Sequence, residues 1–107
     1  MAKPVIVTGY SGNMDFTTPA NSLLVKYRLV ELERDHGPYQ KGWVWAEPDL
    51  EHAAELMRYV YENRNSALDI GLRGKADVLQ MLHPEVVGKQ LKDRLVRVCA
   101  RTDRRTD

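Results

Sequence analysis

The sequence predicts an α/β fold in which a few short strands precede three helices. Two observations carry this. Val5, Ile6 and Val7 form an unbroken β-branched run that empties into a glycine-containing polar loop, Gly9 to Asn13. That is the pattern of a parallel-type strand buried on both faces, with its loop where parallel sheets place ligands. From Pro48 onward, apolar residues recur at helical spacing, with breaks at Asn63 to Asn65 and at His83-Pro84. The 107 residues allow a single domain with one modest core. It divides into a strand-and-loop part (1–45), a helical part (46–100) and a frayed basic tail (101–107). A doubly covered strand needs neighbours, and only Met1 and Ala2 precede Lys3, so the domain reads as incomplete.

In the first part, Val5 to Thr8 is a strand and Gly9 to Asn13 its loop. Met14 to Phe16 has room for one helical turn, which Thr17-Thr18-Pro19 stops. Asn21-Ser22 is a turn, and Ser22 to Val25 a second short strand. Lys26 to Glu33 alternates weakly, as a half-exposed strand does, and Asp35-His36-Gly37-Pro38-Tyr39 marks a turn-rich excursion to Gly42. Trp43-Val44-Trp45 is a third short strand or an extended anchor.

Pro48-Asp49 starts the first helix, with Asp49 as N-cap and Glu51 in its first turn, where negative charge suits the dipole. Leu50, Ala53, Ala54, Met57, Val60 and Tyr61 fall on one face. Ser66 caps a second helix running to about Leu82, with Ile70, Gly71, Gly74, Val78 and Leu82 inward. Two glycines on one stripe, each costing about 1 kcal/mol against alanine, imply close approach to another backbone. Pro84 opens the last helix, which runs to about Ala100 and sets Val87, Leu91, Leu95 and Val98, with Arg94 among them, along a narrow stripe.

The formal net charge of +1 gives no global argument for nucleic acid or membrane binding. Locally, residues 31 to 63 hold eight acids and three bases, and residues 89 to 107 hold seven bases and three acids. These read as solvated helix faces and a basic tail. The tail lacks the interleaved aromatics of a nucleic-acid surface, since none follow Tyr61. Cys99 is the single cysteine, which fits a reducing cytoplasm; spaced four residues from Leu95, it reads as a small core residue. No signal peptide and no membrane-spanning run is expected.

Three kinds of chemistry can be weighed. The loop Thr8 to Asp15 resembles the start of a dinucleotide fingerprint, but Asp15 stands where a third glycine belongs and Pro19 stops the helix that should follow. A nicotinamide-binding oxidoreductase is therefore disfavoured, and no Gly-Lys-Ser/Thr follows to make a Walker loop. His36, His52 and His83 lie apart with no cysteine partner, so neither a metal site nor a cofactor is expected. His36 and His83 read as surface or capping residues, and His52 as closing a box-like cap with Asp49. Asp15 lies at the mouth of the strand, as a ligand contact or a loop hydrogen-bonder, and Glu47 belongs to a helix start; neither has a partner in view that would make it catalytic. Tyr39, Trp43 and Trp45 could stack on a sugar or base, or fill a satellite core beneath the loop; the core is the favoured reading.

The order of motifs is familiar. Lys3-Pro4-Val5-Ile6-Val7-Thr8, then Ser11-Gly12-Asn13-Met14-Asp15-Phe16, then Asn21-Ser22-Leu23-Leu24-Val25, then Trp45-Ala46-Glu47-Pro48-Asp49, and finally His83-Pro84-Glu85 resemble the C-terminal part of group 1 (family 4-type) glycosyltransferases. The resemblance runs from Lys3 to about Val98. It implies a partial Rossmann-like unit, the C-terminal portion of a GT-B donor-binding domain that takes a nucleotide-diphosphate sugar and works with retention and without a metal ion. By the same resemblance, Ser11, Gly12, Asn13 and Asp15 line the floor of the donor cleft, with Asp15 in the acidic position of a Gly-Gly-x-x-Glu turn. The family's two glutamates, spaced by seven residues, belong to a segment before the Lys-Pro-Val strand, so no catalytic residue is expected in 1–107. The expectation is a glycosyltransferase piece that is inactive alone. The alternative is a non-catalytic dimerisation or partner-binding module derived from that domain, pairing through the exposed first strand.

Overall fold

A computed structural model describes residues 1–102. It is a mixed α/β chain with the order β1 (Ile6–Thr8), a 3-10 helix (Ser11–Asp15), β2 (Leu23–Val25), β3 (Tyr27–Glu31), β4 (Val44–Pro48), α1 (Leu50–Glu62), α2 (Arg64–Leu82) and α3 (Pro84–Thr102). Two compact units divide inside α2: Met1–Lys75, and a second beginning at Ala76. The predicted tail lies outside the described residues, save that Arg101 and Thr102 continue α3.

In the first unit, β1 pairs with β2 in parallel, Ile6 opposite Leu23 and Thr8 opposite Val25. The connection 9–22 makes the crossover that parallel pairing requires. The expectation of a strand buried on both faces is corrected. Every residue of β1 is only half-buried and Val5 is 48% exposed, because the sheet has two strands. β3 and β4 form a separate antiparallel hairpin, Tyr27 opposite Pro48 and Glu31 opposite Val44. β4 thus runs through Pro48, beyond the expected end at Trp45. Proline is tolerated there because β4 has only one partner strand and needs no second row of donors.

A single residue, Lys26, joins the two sheets, and the start of α1 grips its peptide at both ends. The Asp49 N–H donates to the Lys26 carbonyl (2.8 Å), and the Lys26 N–H donates to Nδ1 of His52 (3.0 Å). Asp49 is the N-cap, its Oδ1 accepting from the His52 N–H at 3.0 Å. The His52 ring does not complete a box on the Asp49 backbone, since Lys26 holds it. Replacing the cap by Asp49→Ala is expected to cost about 1 kcal/mol, with Asp49→Ser retaining most of it. Thermal melts of both variants check this, and an unchanged midpoint for Asp49→Ala would remove the cap's role.

α1 packs on β1 and β2. The inward face is His52, Ala53, Leu56 and Val60. Of the expected face, Ala53 and Val60 are inward, while Leu50, Met57 and Tyr61 stand 77%, 63% and 72% exposed. The helix carries two apolar stripes, and the sheet takes the one through Leu56. α2 starts at Arg64, not at a Ser66 cap. Asn63 ends α1 and its carbonyl accepts from the Ala67 N–H (2.9 Å), so one residue serves both helices. The inner face of α2 is Ala67, Ile70, Gly71 and Gly74, with Ala67 and Gly71 buried. The close backbone approach expected of its glycines is present. A Cβ on Gly71 would lie 2.7 Å from the Lys3 carbonyl carbon, and one on Gly74 would lie 3.0 Å from the Asn21 carbonyl oxygen.

Among the described residues the buried apolar side chains are Val25, Leu32 and Ala67, a small core. Val78 and Leu82, expected inward, are exposed. In α3, His83 acts as a cap, its carbonyl accepting from the Val87 N–H (3.0 Å) and its Nδ1 from the Glu85 N–H (3.4 Å). The stripe Val87, Leu91, Leu95 and Val98 is exposed, and so is Cys99, which corrects its reading as a core residue.

Candidate functional site: the loop at the carboxyl end of the parallel pair

Chain direction puts the carboxyl ends of β1 and β2 side by side, and the segment Gly9–Asp15 leaves from them. The Gly9 N–H donates to the Val25 carbonyl (3.1 Å), which carries the parallel ladder one step past Thr8. The helical turn expected at Met14 to Phe16 begins earlier and is a 3-10 turn, Ser11–Asp15. Five residues are too short for a useful helix dipole, so this turn offers no helix-terminus anion site.

All four predicted donor-cleft residues fall on this turn. Ser11, Gly12 and Asp15 are exposed, and Asn13 is half-buried. Ser11 is the one non-glycine residue with positive φ (67°) among the described residues, a conformation found mostly in turns and at functional loops. A Cβ at Gly12 would meet nothing within 4 Å, so that face of the loop is open. Asn13 is engaged structurally. Its Nδ2 donates to the Thr8 carbonyl (2.9 Å) and lies 3.4 Å from Thr17 Oγ1. The Thr17 hydroxyl donates in turn to the Asn13 carbonyl (2.7 Å). This ties the turn back onto the end of β1 and leaves Ser11, Gly12, Met14 and Asp15 exposed.

A buried polar knot that sequence reasoning missed supports the turn. Thr17, Asn21 and Ser22 are all buried. Asn21 Oδ1 accepts from the Thr18 N–H (2.7 Å) and the Ser22 hydroxyl (3.0 Å), and its Nδ2 donates to the Phe16 carbonyl (3.1 Å). The signal was present in Thr17-Thr18-Pro19-Ala20-Asn21-Ser22, a run of residues that hydrogen-bond nearby backbone.

Next to the loop, the Tyr10 ring packs on Tyr27 with centroids 5.0 Å apart. Tyr27 also lines an open groove of about 830 Å³ between the base of the hairpin and the start of α1. Lys26, Arg28, Glu47, Asp49 and Glu51 give that groove both signs of charge. Arg28 and Glu47 are opposite in register and form an ion pair, Nη2 to Oε2 at 2.6 Å. Glu47 is therefore a strand residue with a partner, not part of a helix start. At 76% and 47% side-chain exposure the pair contributes less than about 1 kcal/mol.

No family model, no curated protein and no solved structure matches this chain. The site stands on its own geometry. Among the described residues no group of histidine, cysteine, aspartate and glutamate side chains is placed to hold a metal ion, and no helix is long and apolar enough to cross a membrane. The aromatic trio of the hairpin is rearranged relative to the core reading. Trp45 meets Tyr39 (6.3 Å) and His36 (5.1 Å), and all three predicted aromatics stand at least 38% exposed. The residue buried near this loop is Leu32.

Proposed function

We propose that this chain supplies the C-terminal, Rossmann-like part of the donor-binding domain of a retaining glycosyltransferase, with a nucleotide-diphosphate sugar as donor. The observation that carries the reading is the Ser11–Asp15 turn, held by Asn13 at the carboxyl end of a parallel strand pair. Open α/β sheets bind their ligands at that end. In this reading the turn forms the floor of the cleft. Ser11 and the open backbone at Gly12 offer hydrogen-bonding groups toward the donor, and Asp15 accepts from sugar hydroxyls. A cytoplasmic setting accompanies it, supported by the single cysteine.

Sugar transfer needs donor and acceptor in near-attack geometry, with positive groups around the departing phosphate. The turn contributes no cation, so residues 1–107 alone are expected neither to transfer sugar nor to bind donor tightly. The uncovered stripe of α1 through Leu50, Met57 and Tyr61 agrees with a unit that packs against further protein. The decisive experiment extends the chain by the codons upstream of Met1. The expected product contains two glutamates spaced by seven residues and transfers a sugar with retention, and Asp15→Asn raises its KM for donor. Tight donor binding or transfer by 1–107 itself would overturn the reading, as would an extended protein without the glutamate pair. The same α1 stripe also favours a second reading, a non-catalytic dimerisation module. A discrete dimer of 1–107 in sedimentation would support it.

A further inference from the structure

The β3–β4 hairpin carries a cluster that the donor-side reading does not use. Val30 lies opposite Trp45 and Arg28 opposite Glu47, so these side chains share one face. The connecting loop brings His36 and Tyr39 to the same tryptophan. It is held in place by the His36–Tyr39 bridge, by the Lys41 N–H donating to Asp35 Oδ1 (2.8 Å), and by the Leu32 N–H donating to the Trp43 carbonyl (2.8 Å). Beside Trp45 opens a groove of about 410 Å³, apolar at Val30 and Leu32 and polar at Glu31, Glu33, Arg34 and Glu47. That size lies within the usual range for small-ligand sites of about 300–1,000 Å³.

An exposed aromatic ring beside carboxylates and a guanidinium suits a ligand with one apolar face and a hydroxylated edge. A pyranose ring has this shape. Its C–H face stacks on an indole, and its hydroxyls donate to carboxylate oxygens and accept from the guanidinium. The charge selects against nucleotides: Glu47 is paired with Arg28, and the remaining Glu31 and Glu33 outnumber Arg34, so the groove keeps a negative balance that repels a phosphate. We propose that the Trp45–Tyr39–His36 cluster is a binding site for a neutral pyranoside, with Trp45 as the stacking platform and Glu33 and Arg34 as hydrogen-bonding groups. This site does not depend on the glycosyltransferase reading.

The test is a titration of the 15N-labelled chain followed by NMR. The probes are the methyl pyranosides of glucose, galactose and mannose, then maltohexaose, cellohexaose and mannohexaose, with UDP as the phosphate-bearing control. At least one neutral saccharide is expected to shift resonances of residues 30–47, including the Trp45 indole N–H, while UDP leaves them unmoved. Trp45→Ala and Tyr39→Ala are each expected to weaken binding at least tenfold, and Trp45→Tyr to retain it. Tyr39 is a half-exposed loop residue, so its variant keeps the test valid where Trp45→Ala disturbs the hairpin. The proposal is overturned if no saccharide in the panel shifts these residues, if neither alanine variant weakens binding, or if UDP occupies the cluster. Shifts at 30–47 that depend on protein concentration without sugar would equally overturn it, since a second copy would then cover the rings.

Discussion

A Gly71→Ala variant is expected to lose about 2 kcal/mol of stability, within the range of about 1–3 kcal/mol for overpacking a tight site. The added Cβ would lie 2.7 Å from the Lys3 carbonyl carbon, 2.8 Å from the Ala2 oxygen and 2.9 Å from the Pro4 nitrogen. All three are backbone atoms, so no side chain can rotate away. The N-terminal segment or α2 must shift, and that segment leads directly into β1. Alanine's gain of about 1 kcal/mol in helix propensity offsets part of the loss. Gly88 in α3 is the internal control, because a Cβ there meets nothing within 4 Å. Gly88→Ala is therefore expected to raise helix content with no penalty. Urea unfolding followed by circular dichroism separates the two, and a Gly71→Ala protein as stable as its parent would refute the close approach.

The second large effect is expected at Asn21. Asn21→Ala removes the acceptor for the Thr18 N–H and the Ser22 hydroxyl and the donor to the Phe16 carbonyl. Asn21 is only 3% exposed and its bond with Ser22 is buried, while the bonds to Thr18 and Phe16 are part-buried. A buried group left unsatisfied costs about 1–3 kcal/mol, and the variant is expected to fall within about that range below its parent. Amide exchange at Thr18 should accelerate with it, because that N–H loses its partner. The consequence reaches the candidate site, since the same loop holds Thr17 against Asn13. A cost under about 1 kcal/mol, with Thr18 exchange unchanged, would show that the knot does not support the turn.

How much was legible depended on the range of the interaction. The Asp49 cap, the Pro84 helix start, the strand at Val5 to Thr8 and the turns between Arg34 and Gly42 rest on neighbours within a few residues, and all are found near where the sequence puts them. The parallel character of the first strand was also readable, from its uniform β-branching. Its depth of burial was not, because burial depends on how many strands and layers arrive from elsewhere. The site was legible as a loop and not as a mechanism of support. Ser11, Gly12, Asn13 and Asp15 do share one turn, but the role of Asn13 depends on Thr8 and Thr17 lying within reach once the turn has closed.

The sequence by itself determined the order of strands, loop and helices, the Asp49 cap, and the two glycines that bring α2 against a backbone. The tertiary structure alone decided which of two apolar stripes α1 turns inward. Both satisfy helical periodicity. Ala53 and Val60 belong to both, and Leu56 joins them inward because Asp49 and His52 are fixed on Lys26, a geometry that leaves Leu50, Met57 and Tyr61 outside. It also carried β4 through Pro48, since strand length follows the partner it pairs with, here Tyr27. Periodicity records that a face is apolar; only the position of the neighbouring elements determines whether that face is covered.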